Sequence, residues 1–215
     1  MQKLILIGAG GYAKSVVDSI DYSRYEIAGF VDKNKFGTVP SHLGYPIISD
    51  SVKTIENPEQ YVYFISIGGN RDRKHYYKRL GIMGVELINV IDKTAVVSEK
   101  AVLGRGIFVG KLAVINSCAH IEDDVIVNTR AIVEHGCSVG IHSNISTNSV
   151  INGDVFVGEG SFIGSCSVVN GQKKIGKGVV IGSGAVVIDD VEDYVTAVGI
   201  PAKIVKHHDP EHYNW

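Results

Sequence analysis

No sign of charge dominates this 215-residue chain: 21 lysines and arginines face 23 aspartates and glutamates, for a formal net charge of −2. That balance leaves no broad basic surface for nucleic acid or for an anionic membrane. Long apolar runs are missing too, and nothing approaches the roughly 20 residues of a membrane span, so no membrane insertion is expected. The opening MQKLILIGAGGYAK has too short an apolar run and no small-residue cleavage site, so it does not read as an export signal. Only three cysteines occur, Cys118, Cys137 and Cys166. Odd in number and without metal-ligand spacing, they argue against a disulfide framework and offer no metal site. A reducing, cytoplasmic setting is the expectation. Proline is scarce as well, five against 25 glycines, and most of those glycines fall in two places.

The first glycines lie in a stretch with the grammar of an α/β domain. LILI (Leu4–Ile7) reads as a short buried strand that ends at Gly8, Gly10 and Gly11. A helix from about Ala13 to Ile20 follows, with Val16, Val17 and Ile20 on one face. EIAGFVD (26–32) and YVYFISI (61–67) are further strands, 71–80 is a polar helix, and VELINVI (85–91) closes the half. Strands alternating with helices predict a parallel, Rossmann-like sheet over residues 1–90, one mononucleotide-binding half plus a little. Gly8, Gly10 and Ala13 make a G-x-G-x-x-A pattern between strand and helix, where backbone N–H groups can meet a phosphate. Asp32 ends the second strand nineteen residues after Ala13 and could reach a ribose. Gly69, Asn70 and Arg71 follow the third strand, at the carboxyl edge where such sheets bind ligands, and Arg71 or Arg73 could face a diphosphate. On pattern alone NAD is a candidate, but a second mononucleotide half is missing.

The second half obeys another rule. Every sixth residue from Ile91 to Val187 is Ile, Leu or Val, seventeen positions in succession. With about a third of residues aliphatic, chance would give this roughly once in a hundred million. The residue after each is mostly small or polar, as at Gly110, Asn128 and Gly164, and a third small residue follows three places on, as at Ala113 and Ser143. A period of six is the hexapeptide repeat of a parallel β-helix, in which three repeats make an eighteen-residue triangular coil. The aliphatic residues point into an axial core, and glycine or asparagine is expected at the tight corners, where φ is often positive. The repeat spans 91–205, with a C-terminal tail over 206–215 taken as a solvated end.

At this point the sequence resembles a family, the two-domain sugar acyltransferases of the sialic-acid O-acetyltransferase and bacillosamine N-acetyltransferase type. The resemblance rests on LILIGAGGYAKSVVD, GFVD, SIGGNRDRKHYYKRL, IVEHGCSVG, the hexapeptide array and VGIPAKIV. It implies a nucleotide-sugar-binding α/β domain joined to a left-handed β-helix, acetyl-CoA as acyl donor, and a homotrimer. Acetyl transfer needs a base to take the nucleophile's proton, and histidine suits that task. Of the eight histidines, His135 in Glu134-His135-Gly136-Cys137 matches the family's catalytic one. Family members often carry an acid directly after it, where this chain has Gly136. Eighteen residues on, one coil above Gly136, stands Asp154, which is the candidate orienter of the imidazole; Glu134 is a second acid beside the base, or a corner hydrogen-bonding residue. Nine residues after His135 many members have another histidine near the thioester; here it is Asn144.

By the same resemblance acetyl-CoA would lie along Asn144, Gly153, Ser165, Gly182 and Ser183, with its adenine end near Pro201 and Lys203. The nucleotide-linked amino sugar would take Gly8, Gly10, Gly11, Tyr12, Asp32, Lys33, Gly69, Asn70 and Arg71. Tyr12 and Ala13 replace a His-Gly pair usual in the family. The leading reading is N-acetylation of a nucleotide-linked amino sugar by direct attack, with no metal and no covalent enzyme intermediate. O-acetylation of a sugar hydroxyl, a catalytically weakened trimeric scaffold and, last, a nicotinamide-dependent oxidoreductase are the alternatives.

Overall fold

Leu4, Ile5, Leu6 and Ile7 are completely buried in the computed structural model, which describes residues 1–210. They lie in strand β1 (Gln2–Ile7), which pairs in parallel with β2 (Tyr25–Val31) on one side and β5 (Tyr61–Ile65) on the other. Being buried on both faces, such central strands must be apolar throughout, as the LILI run is. Helix α1 (Gly11–Asp18) connects β1 to β2, and α2 (Asn70–Met83) leads from β5 to β6 (Glu86–Leu87). A hairpin of β3 (Ser41–His42) and β4 (Tyr45–Ser49) completes the order β3-β4-β2-β1-β5-β6. The hairpin is not legible in the apolar pattern; its turn is Leu43-Gly44, both with positive φ (52° and 82°). This first unit spans Met1–Ile91, and a second begins at Asp92.

The second unit is a left-handed parallel β-helix. Its strands are two residues long and each pairs with the strand eighteen residues on, as Val114 with Ile132 and Ile132 with Val150. Three faces result. One carries Phe108–Val109 and its successors, one runs from Val96–Val97 to Val186–Val187, and one from Val102–Leu103 to Lys174–Ile175. The aliphatic column forms the core: from Val109 to Val187 every sixth residue is at most 1% exposed. Small residues fill the corners from inside. Ser143 and Ser161 are completely buried, and their hydroxyls donate to the carbonyls of Gly158 (3.0 Å) and Gly176 (2.8 Å), so burying them leaves no orphaned donor.

The structure corrects the expected role of the glycines that follow the aliphatic residues. Positive φ falls three residues after each aliphatic one, from Gly106 through Leu112, Cys118, Asp124 and onward to Gly184 in unbroken steps of six. Nine of those positions are not glycine. The glycines directly after the aliphatic residue are there because the next coil leaves no room. A Cβ on Gly164 would stand 2.4 Å from the Ile181 carbonyl oxygen, and one on Gly140 2.7 Å from the Glu159 nitrogen. The expected tail is also shorter: Lys203–His207 forms an antiparallel strand on Val195–Val198, and His208 N–H donates to the Tyr194 carbonyl at 2.7 Å. Residues 211–215, with His212, lie outside the described residues.

These two kinds of glycine predict different costs. Gly164→Ala drives a methyl into backbone that cannot move and should destabilise by about 3 kcal/mol. Gly160→Ala, at φ 68° with open space around its Cβ, should cost only about 1 kcal/mol. Urea unfolding of the two variants measures the difference.

Candidate functional site

Each unit carries a constellation of its own. In the first, β1 and β5 end side by side and a cleft of about 410 Å³ opens at their carboxyl ends. Gly8, Gly10, Gly11, Tyr12, Asp32 and Lys33 all line it, as the sequence predicts. Gly8 is required twice over: its φ is 96°, and a Cβ would stand 2.4 Å from the Ile67 side chain. Gly10 and Gly11 have nothing within 4 Å of a would-be Cβ, so bare backbone borders the cleft where α1 begins. An anion there would meet backbone N–H groups at the positive end of the helix.

Asp32 is more committed than its spacing suggests. Its Oδ2 accepts from Ala9 N–H at 2.8 Å, and its Oδ1 accepts from Asn34 N–H (3.0 Å) and Lys35 N–H (3.1 Å). The carboxylate therefore ties the glycine loop to the turn after β2. Gly69, Asn70 and Arg71 open α2 but do not line the cleft; Asp72, His75 and Tyr76 do, one turn further along. Arg73 does not face a diphosphate. It is 1% exposed and donates to the Gly68 carbonyl and the Asn70 side-chain oxygen, both at 3.0 Å. The α2 face was missed because its polar residues resemble a solvated helix surface.

In the β-helix, His135 is exposed at the corner between the Ile132–Val133 and Ser138–Val139 strands. Its imidazole rests on the next coil: a Cβ at Gly153 would stand 2.5 Å from its Cε1 and 2.6 Å from its Nε2. Gly153 is thus the seat of the ring. Among the described residues neither ring nitrogen has a hydrogen-bond partner. Asp154 lies over Gly136, where the eighteen-residue sum puts it; a Cβ on Gly136 would be 2.1 Å from its carboxylate oxygen. No hydrogen bond joins that carboxylate to the imidazole. Glu134 is tied down locally: Oε2 accepts from the His135 backbone N–H at 3.2 Å and Oε1 from the Asn116 side-chain Nδ2 at 2.9 Å. Cys137 donates its thiol to the Asn152 carbonyl at 3.0 Å, and burial, aided by the charges of Asp154 and Glu134, pushes its pKa up. It packs a corner and is no nucleophile.

The residues expected along acetyl-CoA separate by corner. Gly153 shares the edge of His135. Ser165, whose hydroxyl meets that of Ser146 at 3.0 Å, stands with Gly182 and Ser183 on the other edge of the face that carries Ile132. Pro201 and Lys203 are exposed beyond them, Pro201 after a cis peptide bond. Asn144 is 7% exposed on a third face, with its side-chain oxygen buried and lacking a partner among the described residues. His142 points away from it to Asp124, Nδ1 to Oδ2 at 2.7 Å, both side chains buried.

The family model of the PglD N-terminal domain matches residues 3–80. PerB of Caulobacter crescentus, solved with CoA and GDP-perosamine, is 33% identical over 95% of this chain and 97% of its own, with a TM-score of 0.86. The acetyltransferase domain of PglB from Neisseria gonorrhoeae, solved with acetyl coenzyme A, is 34% identical over 95% and 99%, with a TM-score of 0.88. The chain belongs to their family of two-domain hexapeptide-repeat sugar acetyltransferases. Family membership thus rests on nearly full-length matches. Protein L142 of Acanthamoeba polyphaga mimivirus is 38% identical over 108 residues, 49% of this chain, which spans only 20% of that protein.

His42, beside the cleft on β3, makes the first unit sensitive to acid. Burial, then the Lys35 cation, hold its pKa below 6.5; Lys14 adds to this, while the Gly10 carbonyl and Asp32 oppose it. The unfolded chain therefore takes the proton first, and stability should fall as pH drops from about 6.5 through the folded pKa. Thermal melts between pH 5 and 7.5 should show that slope in the wild type and a shallower one in His42→Asn.

Proposed function

We propose that the protein transfers the acetyl group of acetyl-CoA to the amine of a nucleotide-linked amino sugar. The neutral amine nitrogen attacks the thioester carbonyl carbon and gives its proton to a ring nitrogen of His135. The carbon–sulfur bond breaks, and the leaving sulfur takes a proton to become the CoA thiol. One observation carries this reading: an imidazole seated on Gly153 with both nitrogens open, at an exposed edge of a sugar-acetyltransferase β-helix. A base needs just such freedom to meet a substrate proton. PerB's bound GDP-perosamine supports a nucleotide-linked amino sugar, and the bare-backbone cleft of the first unit supports its diphosphate.

Asp154 is the orienting acid in this reading by position, since no hydrogen bond joins it to the ring. Its carboxylate occupies the space that a side chain at position 136 would fill, one coil from the usual place. Gly153, expected along acetyl-CoA, is also the seat of the base in this reading. The donor is taken by two chains. Outward residues on the His135-side face are Val96, Val114, Ile132, Val150, Val168 and Val186, an apolar stripe between the His135 edge and the Ser165 edge. The next face is mixed, with His120, Ser138 and Lys174 pointing outward. Covering the stripe with second and third copies closes a ring and sets one chain's His135 edge beside another's Ser165 edge.

Thiol release from acetyl-CoA with a panel of GDP-, UDP- and dTDP-linked amino sugars tests the chemistry. His135→Ala should lower kcat by at least about a hundredfold. Gly153→Ala, which unseats the ring, and Asp154→Asn should each lower kcat by about tenfold with KM little changed. Turnover with hydroxyl acceptors alone would replace the amine by a hydroxyl. No turnover with any acceptor would leave a nucleotide-sugar-binding scaffold.

Light scattering tests the assembly. The expected mass is about 70 kDa, three times the 23.2 kDa chain. Ile132→Glu should dissociate it and abolish turnover, and a monomeric wild type would overturn the two-chain site.

A further inference from the structure

Lys35 and His42 belong to no part of the reaction described so far, yet they converge on the glycine loop. Ala9 is held at both ends: Asp32 takes its N–H at 2.8 Å, and the Lys35 ammonium donates to its carbonyl. Lys35 is aimed in turn by His42, whose Nδ1 stands 3.4 Å from the ammonium nitrogen. An ammonium has only protons to offer, so Nδ1 accepts and the neutral ring carries its proton on Nε2. Nε2 is buried without a well-formed hydrogen bond among the described residues, and the ring faces the Gly10 carbonyl. The completely buried Phe30 fixes the ring edge-on, with centroids 5.3 Å apart at 76°.

The carbonyl of Ala9 and the N–H of Gly10 belong to one trans peptide and point in opposite directions. Whatever holds that carbonyl on Lys35 turns the Gly10 N–H the other way. Gly10 itself resists rotation poorly, since it has no Cβ and nothing stands within 4 Å of where one would be. Without Lys35 the peptide plane is free to turn. We propose that Lys35 and His42 are positioning residues that hold the Ala9–Gly10 peptide so that its N–H, with the start of α1, receives the diphosphate of a nucleotide sugar. The inference rests on the nucleotide-sugar reading of the cleft. Neither residue touches the reacting atoms; both act through the loop.

Isothermal titration calorimetry with GDP and UDP on the full-length wild type, Lys35→Met, His42→Leu and His42→Asn tests this. Asparagine places its oxygen where Nδ1 sits and can still accept from Lys35. Lys35→Met and His42→Leu should bind whichever diphosphate the wild type prefers about tenfold or more weakly, the loss of one charge-assisted hydrogen bond in the chain. His42→Asn should bind it as the wild type does. CoA affinity should be unchanged in all four proteins, and in turnover KM for the nucleotide sugar should rise with kcat held within about twofold. Equal diphosphate affinity in Lys35→Met, a loss that falls on kcat, or a His42→Asn no better than His42→Leu would overturn the positioning role and leave the cleft reading intact. A wild type that binds neither GDP nor UDP would overturn both.

Discussion

A chain that returns beside itself every eighteen residues, one strand spacing away, sets the terms for the second unit. Coils about 4.8 Å apart leave room for hydrogen bonds between backbones and for little else. At Gly140, Gly158 and Gly164 a Cβ would run into the backbone of the next coil. The same spacing makes the site. It lays the His135 ring on Gly153 and brings the Asp154 carboxylate over Gly136. The imidazole and the carboxylate above it are held by stacking, with no loop of their own, which is how an exposed histidine can have a defined place.

The first unit holds its loop by other means. There the backbone is presented outward, and side chains serve to fix it. Asp32 closes three hydrogen bonds to backbone N–H groups, joining Ala9 to the turn over Asn34 and Lys35. Arg73 is buried whole to brace the start of α2 through Gly68 and Asn70. Charged residues that a sequence places near a phosphate are thereby consumed in shaping the wall around it. The open surface is left to glycine backbone and to Lys33, Asp72, His75 and Tyr76.

The core was legible because burial repeats: seventeen aliphatic residues at a fixed interval admit one packing, and LILI between a start and a glycine loop admits few. The corners were less so. A spacing of six does not say whether positive φ falls one or three residues after the aliphatic residue, since both places accept small side chains. Nor does it say which of three corners a residue occupies; only the remainder after eighteen does. That remainder groups His135 with Gly153 and sets Ser165 and Ser183 together elsewhere, a signal present in the numbering but hidden by the shorter period. The β3–β4 hairpin left no trace because its first strand is two residues long, its turn is Leu-Gly, and the YPIIS of its second strand shows no alternation. Arg73 misled for a further reason: spacing locates a side chain but does not reveal that the backbone has already claimed it.

Lys203–His207 runs against the direction of every other strand in its face. A column of identical coils has an open end that would welcome one more parallel coil, from the same chain or from a stranger. The reversed strand presents that newcomer with a hydrogen-bonding pattern out of step with its own, flanked by Lys203 and Lys206. A further parallel coil therefore finds no ladder in step with its own on that face.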